Sequence, residues 1–358
     1  MIISTEKMYS DTFIILGKIF RAAADGDVAD CKGFESQAMA LRECSESAVL
    51  SNGWFTPEFV KMQLRSLAQM LTEDSVKRFS EQYGLDALPL SNRKVKIVAA
   101  GNIPLVCFHD MLCVLMAGFR LVLKPSSKDR LLTHAVLEII KQITPELKDK
   151  VEEEDGERIP FDAIIATGSN NSARYFDYYF SKYPNIIRRN RSSVAVLSGN
   201  ETSEDYRLLA DDIFAYYGLG CRSVSKIYVP KDYNYDDFFK GIYHKSDVMV
   251  NAKYADNYTY NKAVYLMSGA DILENGFLIL KKDTGLSSPV GVIFSEEYQN
   301  VDTLAQSLVQ NADNLQCVVS KVDLQGVATV SFGQSQHPAI DDFADGVDTI
   351  QFLKTLNR

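Results

Sequence analysis

From residue 95 onward the chain repeats one local rhythm: a short apolar run, a turn of small or polar residues, then an amphipathic helix. Val95 to Ala100 reads as a strand, Gly101-Asn102-Ile103-Pro104 as a turn, and the apolar stretch to about Ala117 as a helix. Phe119 to Leu123 is a second strand, followed by the turn Lys124 to Asp129 and a helix over Arg130 to Ile143. Phe161 to Ala166, Thr167-Gly168-Ser169-Asn170 and Ser172 to Tyr183 repeat the unit. Strands that alternate with helices pair in parallel through right-handed crossovers, so this part is predicted to form a Rossmann-like sheet.

Residues 10 to 90 instead carry helical periodicity. Candidates run over Asp11 to Ala24, over Glu35 to Ser51, and from Pro57 with Thr56 as N-cap. Val60, Leu64, Leu67 and Leu71 fall on one face of the third. Beyond Ile186 further strands are predicted at 194–197, 225–229, 277–280, 291–294 and 317–320, with a helix over Ser203 to Tyr217. The charged stretch Lys148 to Arg158 reads as a solvated connection, and residues 337–358 as a tail packed through Ile350, Phe352 and Leu353. The expected organisation is α/β. Residues 1–185 hold the N-terminal helices and a dinucleotide-binding domain, 186–340 an α/β catalytic domain, and 341–358 the C-terminal tail.

A chain of 358 residues with 46% apolar content has material for two packed domains. Its net charge of −9 argues against a broad nucleic-acid-binding surface. No apolar run reaches membrane-spanning length, and the opening MIISTEKMYS lacks the layout of a signal peptide. Six cysteines without paired spacing and four scattered histidines fit neither a disulfide framework nor a metal centre. A cytoplasmic, metal-free protein that does not bind membranes is the expectation.

Four places could carry chemistry. Gly168-Ser169-Asn170 ends a strand and opens a helix, so its N–H groups could meet a pyrophosphate; a plain capped helix start is the alternative. Lys124-Pro125-Ser126-Ser127 also follows a strand, where a lysine binds ribose hydroxyls or phosphate, or is simply solvated. Asn102 sits in a tight turn as a turn-former or a positioned amide donor. Cys221, in Gly218-Leu219-Gly220-Cys221, lies on a glycine-relieved turn where a thiol is accessible to a substrate, although most single cysteines are packing residues.

In this order, the Asn102 turn, the Lys124 strand end, the Thr167-Gly168-Ser169 turn and Cys221 resemble the aldehyde dehydrogenase superfamily. Within it, GNIPLVCFHDMLCVLMAG, LVLKPSSKD and the late Asp345-Gly346 are most similar to the acyl-CoA reductases, which include the fatty-acid reductase of bacterial luminescence. The resemblance spans roughly residues 90 to 355. It implies an aldehyde-dehydrogenase-like fold and a role for each position. Cys221 is the nucleophile that accepts the acyl group from coenzyme A, and Asn102 is the oxyanion-hole amide. Lys124 binds the adenosine ribose, and Gly168 and Ser169 lie beside the cofactor pyrophosphate.

Three departures from the superfamily pattern sharpen the expectation. No acidic residue occurs from Phe180 to Ser198, where hydrolytic members carry a glutamate that activates water, and this favours reduction over oxidation. Ser127 stands where an acid usually meets the ribose; Ser126, Ser127 and Lys128 could donate to a 2′-phosphate, so NADPH is favoured over NADH. No glutamate precedes the segment Gly285 to Pro289, where the superfamily places its nicotinamide-ribose ligand. The implied activity is reduction of an acyl-CoA to an aldehyde. Alternatives are another activated acyl donor, such as an acyl phosphate, or a non-catalytic scaffold subunit. Partners would be the acyl thioester, another copy of the chain in a homo-oligomer, or an acyl-activating enzyme. Arg188, Arg189 and Arg191 read first as a solvated rim, and His109 as a packed or capping histidine.

Overall fold

The computed structural model describes residues 5–168 and 170–356. The chain separates into two compact units, one of residues up to Arg189 together with those from His337 onward, the other Asn190–Gln336.

The first unit opens with four helices, α1 (Thr5–Asp25), α2 (Glu35–Ser51), α3 (Pro57–Met70) and α4 (Glu73–Tyr83). Thr56 caps α3 by accepting the Phe59 N–H, and Pro57 occupies the first turn, where its missing N–H costs nothing. Val60, Leu64, Leu67 and Leu71 are all buried, as their spacing predicts. Then follow β1 (Lys94–Val98), α5 (Phe108–Met116), β2 (Arg120–Lys124), α6 (Arg130–Ile143), β3 (Val151–Glu153), β4 (Ala163–Thr167), α7 (Asn170–Phe180) and β5 (Asn185–Arg188). The strands form one parallel sheet in the order β3-β2-β1-β4-β5. Leu121, Val122 and Leu123 are buried in succession, as expected of a parallel strand covered on both faces.

Two readings of charged segments are corrected here. The stretch Lys148 to Arg158 is not merely a solvated connection: it supplies β3, and Glu154 just beyond is buried, paired with buried Lys96 and accepting the Ile159 N–H at 3.1 Å. Nor is Arg188 a solvated rim residue. It is 3% exposed and grips Asp110 through two nitrogens at 2.6 and 3.3 Å. It also donates to the Ala344 carbonyl at 2.5 Å and to Thr349 Oγ1 at 3.0 Å. Those contacts hold the C-terminal segment, whose helix Thr349–Leu356 buries Ile350 and Leu353 completely. Burial without partners would leave a guanidinium severely desolvated, so the pair and the tail depend on one another.

The second unit contains β6 (Ser192–Val196), α8 (Ser203–Phe214), β7 (Val224–Pro230), α9 (Asp236–Ile242), α10 (Ala252–Met267), β8 (Ile272–Glu274), β9 (Ile279–Lys282), β10 (Val292–Tyr298), α11 (Val301–Gln310), β11 (Leu315–Ser320) and β12 (Thr329–Val330). Its sheet runs β12-β11-β6-β7-β10-β9-β8, parallel except for the β8–β9 pair. A capping box between Thr202 and Asp205 starts α8. Among the described residues no helix is long and apolar enough to cross a membrane.

Candidate functional site

In the first unit the turns chosen from sequence share one edge. Gly101 to Pro104 follows β1, Lys124 to Lys128 follows β2, and Gly168 follows β4, so all three leave the carboxyl ends of adjacent strands. The chain builds outward from β1 to β2 and β3, then returns to place β4 on the other side. In doubly wound sheets that reversal opens the crevice in which ligands bind. Ser169 lies outside the described residues.

The first two turns touch closely. A Cβ added to Gly101 would come within 2.3 Å of Ser126 Oγ and 3.0 Å of Lys128 Cβ, so only glycine fits. Ser126 Oγ accepts the Lys128 N–H at 3.3 Å. Asn102, Lys124, Ser127 and Lys128 are exposed, whereas Ser126 is half-buried. The Lys124 ammonium lies 3.9 Å from Glu154, a carboxylate already engaged by Lys96. Gly168 is equally constrained: a Cβ there would meet Ser172 Cβ at 2.8 Å and Phe176 Cε2 at 2.9 Å.

Cys221 belongs to the second unit, on the turn that enters β7. It is half-buried and in no disulfide. The approach to it is strained. Tyr216, Tyr217 and Gly218 have φ of 52°, 57° and 77°, three successive left-handed residues of which only the glycine adopts that region freely. Each tyrosine pays about 1–2 kcal/mol for this. Both rings are buried, and Tyr217 packs against Tyr254 with centroids 5.8 Å apart. The loop is closed by serines. Buried Ser223 donates to the Ala215 carbonyl at 3.1 Å, and buried Ser193 on β6 donates to the Cys221 carbonyl at 2.8 Å. Ser193 Oγ also lies 3.0 Å from Cys317 Sγ, whose thiol burial pushes up to about 11. A small cleft of about 20 Å³ adjoins the turn, lined by Phe214, Tyr217, Gly218, Tyr254 and Pro289 among others.

The competing thiols are unreactive by position. Cys107 and Cys113 are buried in and beside α5, and burial raises both far above an ordinary thiol. His109 is packed, as its sequence setting predicts: Nε2 lies 2.7 Å from the Ile340 carbonyl, and burial lowers its pKa. The helix expected over Ser203 to Tyr217 stops at Phe214, because Tyr216 and Tyr217 turn left-handed, and sequence reasoning gave Ser193 and Cys317 no part in the site. Nothing in the residue types marks a tyrosine for the left-handed region, and Ser193 meets Cys221 only because β6 pairs with β7.

No protein-family model and no curated sequence matches the chain. Solved structures do. Aldehyde dehydrogenase 21 from Physcomitrella patens superposes with a TM-score of 0.66 at 13% identity, over 97% of this chain and 87% of that one. The fold is that of the aldehyde dehydrogenases. An NADP-dependent enzyme of E. coli gives 0.63 at 13% identity, over 91% of this chain and 78% of that one. Betaine aldehyde dehydrogenase from Staphylococcus aureus in complex with NAD+ gives 0.57 at 14% identity, over 86% and 70%. The aldehyde-dehydrogenase-like architecture expected from the ordered turns is therefore present, with a helical N-terminal region and parallel sheets in both units.

Proposed function

We propose that the chain is an NADPH-dependent reductase that converts an acyl-CoA, or a related acyl thioester, to an aldehyde through an acyl group carried on Cys221. The observation that carries this reading is the strained Tyr216-Tyr217-Gly218 turn ending at a half-buried cysteine outside any disulfide. Strain of this kind is retained where it positions a reacting group. Support comes from the first unit, where three turns line the edge at which such sheets hold dinucleotides.

The residues have separable tasks. The Cys221 thiolate attacks the acyl carbonyl, and coenzyme A leaves as a thiol after taking up a proton. The Cys221 N–H would donate to the oxygen that becomes negative, and Asn102 keeps the oxyanion-hole role that the resemblance implies, such a donor being worth about 3 kcal/mol in the barrier. Lys124 holds the adenosine ribose, and exposed Ser127 and Lys128 donate to a 2′-phosphate. Glu154 does not oppose that phosphate, because its carboxylate is buried against Lys96. Gly168 would lie beside the cofactor pyrophosphate, as the resemblance implies. NADPH, when bound, supplies the hydride that reduces the thioester carbonyl. The resulting tetrahedral alkoxide on Cys221 would collapse to aldehyde and regenerated thiolate. No acid replaces the missing hydrolytic base between Phe180 and Ser198. Arg188 there is a buried structural group, and Arg191 is spent on the Ala312 and Leu315 carbonyls.

The test is NADPH oxidation with a panel of acyl-CoAs, comparing the native chain with Cys221→Ala. Loss of turnover in the variant, with coenzyme A released stoichiometrically by the native chain, is expected. Unchanged turnover removes the nucleophile.

A further inference from the structure

Asp129 ends the turn that begins at Lys124, and no role in binding or chemistry has yet been given to it. Its side chain is buried, with the residue only 3% exposed. Oδ2 accepts the Leu105 N–H at 2.7 Å. Leu105 closes the turn that carries Asn102 and has φ of 52°, a left-handed conformation disfavoured for a residue with a Cβ. The hydrogen bond from the Leu105 amide to the Asp129 carboxyl offsets part of that cost. Asp129 is itself anchored. Its N–H donates to the Ser126 carbonyl at 3.1 Å, and its own carbonyl accepts Thr133 Oγ1 at 2.6 Å and the Thr133 N–H at 3.2 Å. At the other end of the same two turns, Gly101 is pressed against Ser126 and Lys128. The Asn102 turn is thus fastened to the Lys124 turn at both ends.

We infer that Asp129 is a positioning residue which, by holding Leu105 in its left-handed conformation, aims the Asn102 amide and couples that amide to the dinucleotide-binding turn. The inference rests on the reading of Asn102 as an oxyanion donor. It adds that the turn carrying the donor is held from the neighbouring strand end. The Asn102 turn and the dinucleotide-binding turn then share one rigid support, and a shift of either displaces the other.

The experiment is single-turnover acylation of the full chain by acyl-CoA, followed by release of coenzyme A thiol. Asp129→Leu, branched at the same atom and unable to accept a hydrogen bond, should slow acylation about 10- to 100-fold, within what loss of an oxyanion donor costs. Asp129→Asn keeps an acceptor oxygen and should restore the rate to within about threefold. Alkylation of Cys221 by iodoacetamide, which forms no oxyanion, should change less than about twofold in both; a merely damaged fold would slow both reactions. In an Asn102→Ala background Asp129→Leu should add less than about twofold, because its effect passes through that amide. If the leucine variant does not fold, Asp129→Ser, too short to span to Leu105, takes its place. Acylation within about threefold of the native rate in Asp129→Leu, or a full penalty persisting without Asn102, overturns the inference. Native acylation by Asn102→Ala alone would instead remove the oxyanion assignment and the inference with it.

Discussion

Ser193→Ala tests whether the turn bearing Cys221 is held from below by β6. The hydroxyl is buried and has one proton, which it gives to the Cys221 carbonyl at 2.8 Å; it then accepts from the Cys317 thiol at 3.0 Å. Alanine removes both bonds and leaves a carbonyl and a thiol without that partner. Losing the partner of a buried polar group costs about 1–3 kcal/mol. In a chain of this size that lowers the melting temperature by roughly 2–4 °C per kcal/mol, hence roughly 2–12 °C in all. If the same free energy orients the Cys221 peptide, the thiol loses reactivity by about 5- to 150-fold, at 1.4 kcal/mol per decade. The assay pairs a thermal scan with the second-order rate of iodoacetamide alkylation, located by peptide mass. In the native chain Cys221 should react far faster than Cys107 or Cys113, and Ser193→Ala should narrow the gap. Cys317→Ala should leave the alkylation rate nearly unchanged, because it spares the Ser193–Cys221 bond. A Ser193→Ala chain that melts and alkylates like the native one refutes the reasoning.

Three other outcomes follow from buried groups. Asp110→Ala strands Arg188 without its carboxylate and should cost about 3–5 kcal/mol, read as a lower urea midpoint together with faster proteolysis of residues 337–356. Burial pushes the Asp129 carboxyl up to about 7 and the Asp212 carboxyl up to about 6, against 3.8 for an ordinary aspartate. The folded chain therefore holds these protons more tightly than the unfolded one. The resulting stability is complete below pH 4 and is lost as pH rises to about 7, by about 4 kcal/mol for Asp129. Urea midpoints of Asp129→Asn should lack that part of the slope, and parallel slopes for variant and native chain would contradict it. Gly168→Ala forces a methyl group to within 2.8 Å of Ser172 and 2.9 Å of Phe176, so nicotinamide-dinucleotide affinity by fluorescence titration should fall about tenfold or more. An unaltered affinity would place the pyrophosphate elsewhere.

Local pattern was legible in the sequence because it is written in near neighbours. The periods of helix and strand, the Thr56 and Pro57 start of α3, and the turns at 101–104, 124–128 and 168 are set by residues a few positions apart. Helices α2 and α6 run from Glu35 to Ser51 and from Arg130 to Ile143, as their apolar spacing predicts. Strand order was not written locally, and with it went everything that depends on pairing across the sheets. Lys96 meets Glu154 only because β1, β2 and β3 lie side by side, which turned a charged stretch into a sheet edge. Arg188 meets Asp110 across a separation of 78 positions, and two arginines that look alike in sequence separate into a buried clamp and an exposed pair of Arg189 with Asp177. Leu105, Tyr216 and Tyr217 occupy a backbone region their side chains disfavour, so no residue preference could announce them. Residue type and spacing decided which groups are available for chemistry. Tertiary packing decided which of them are desolvated, paired or strained, because only the assembled sheets supply the opposing charges and buried partners that make those states stable.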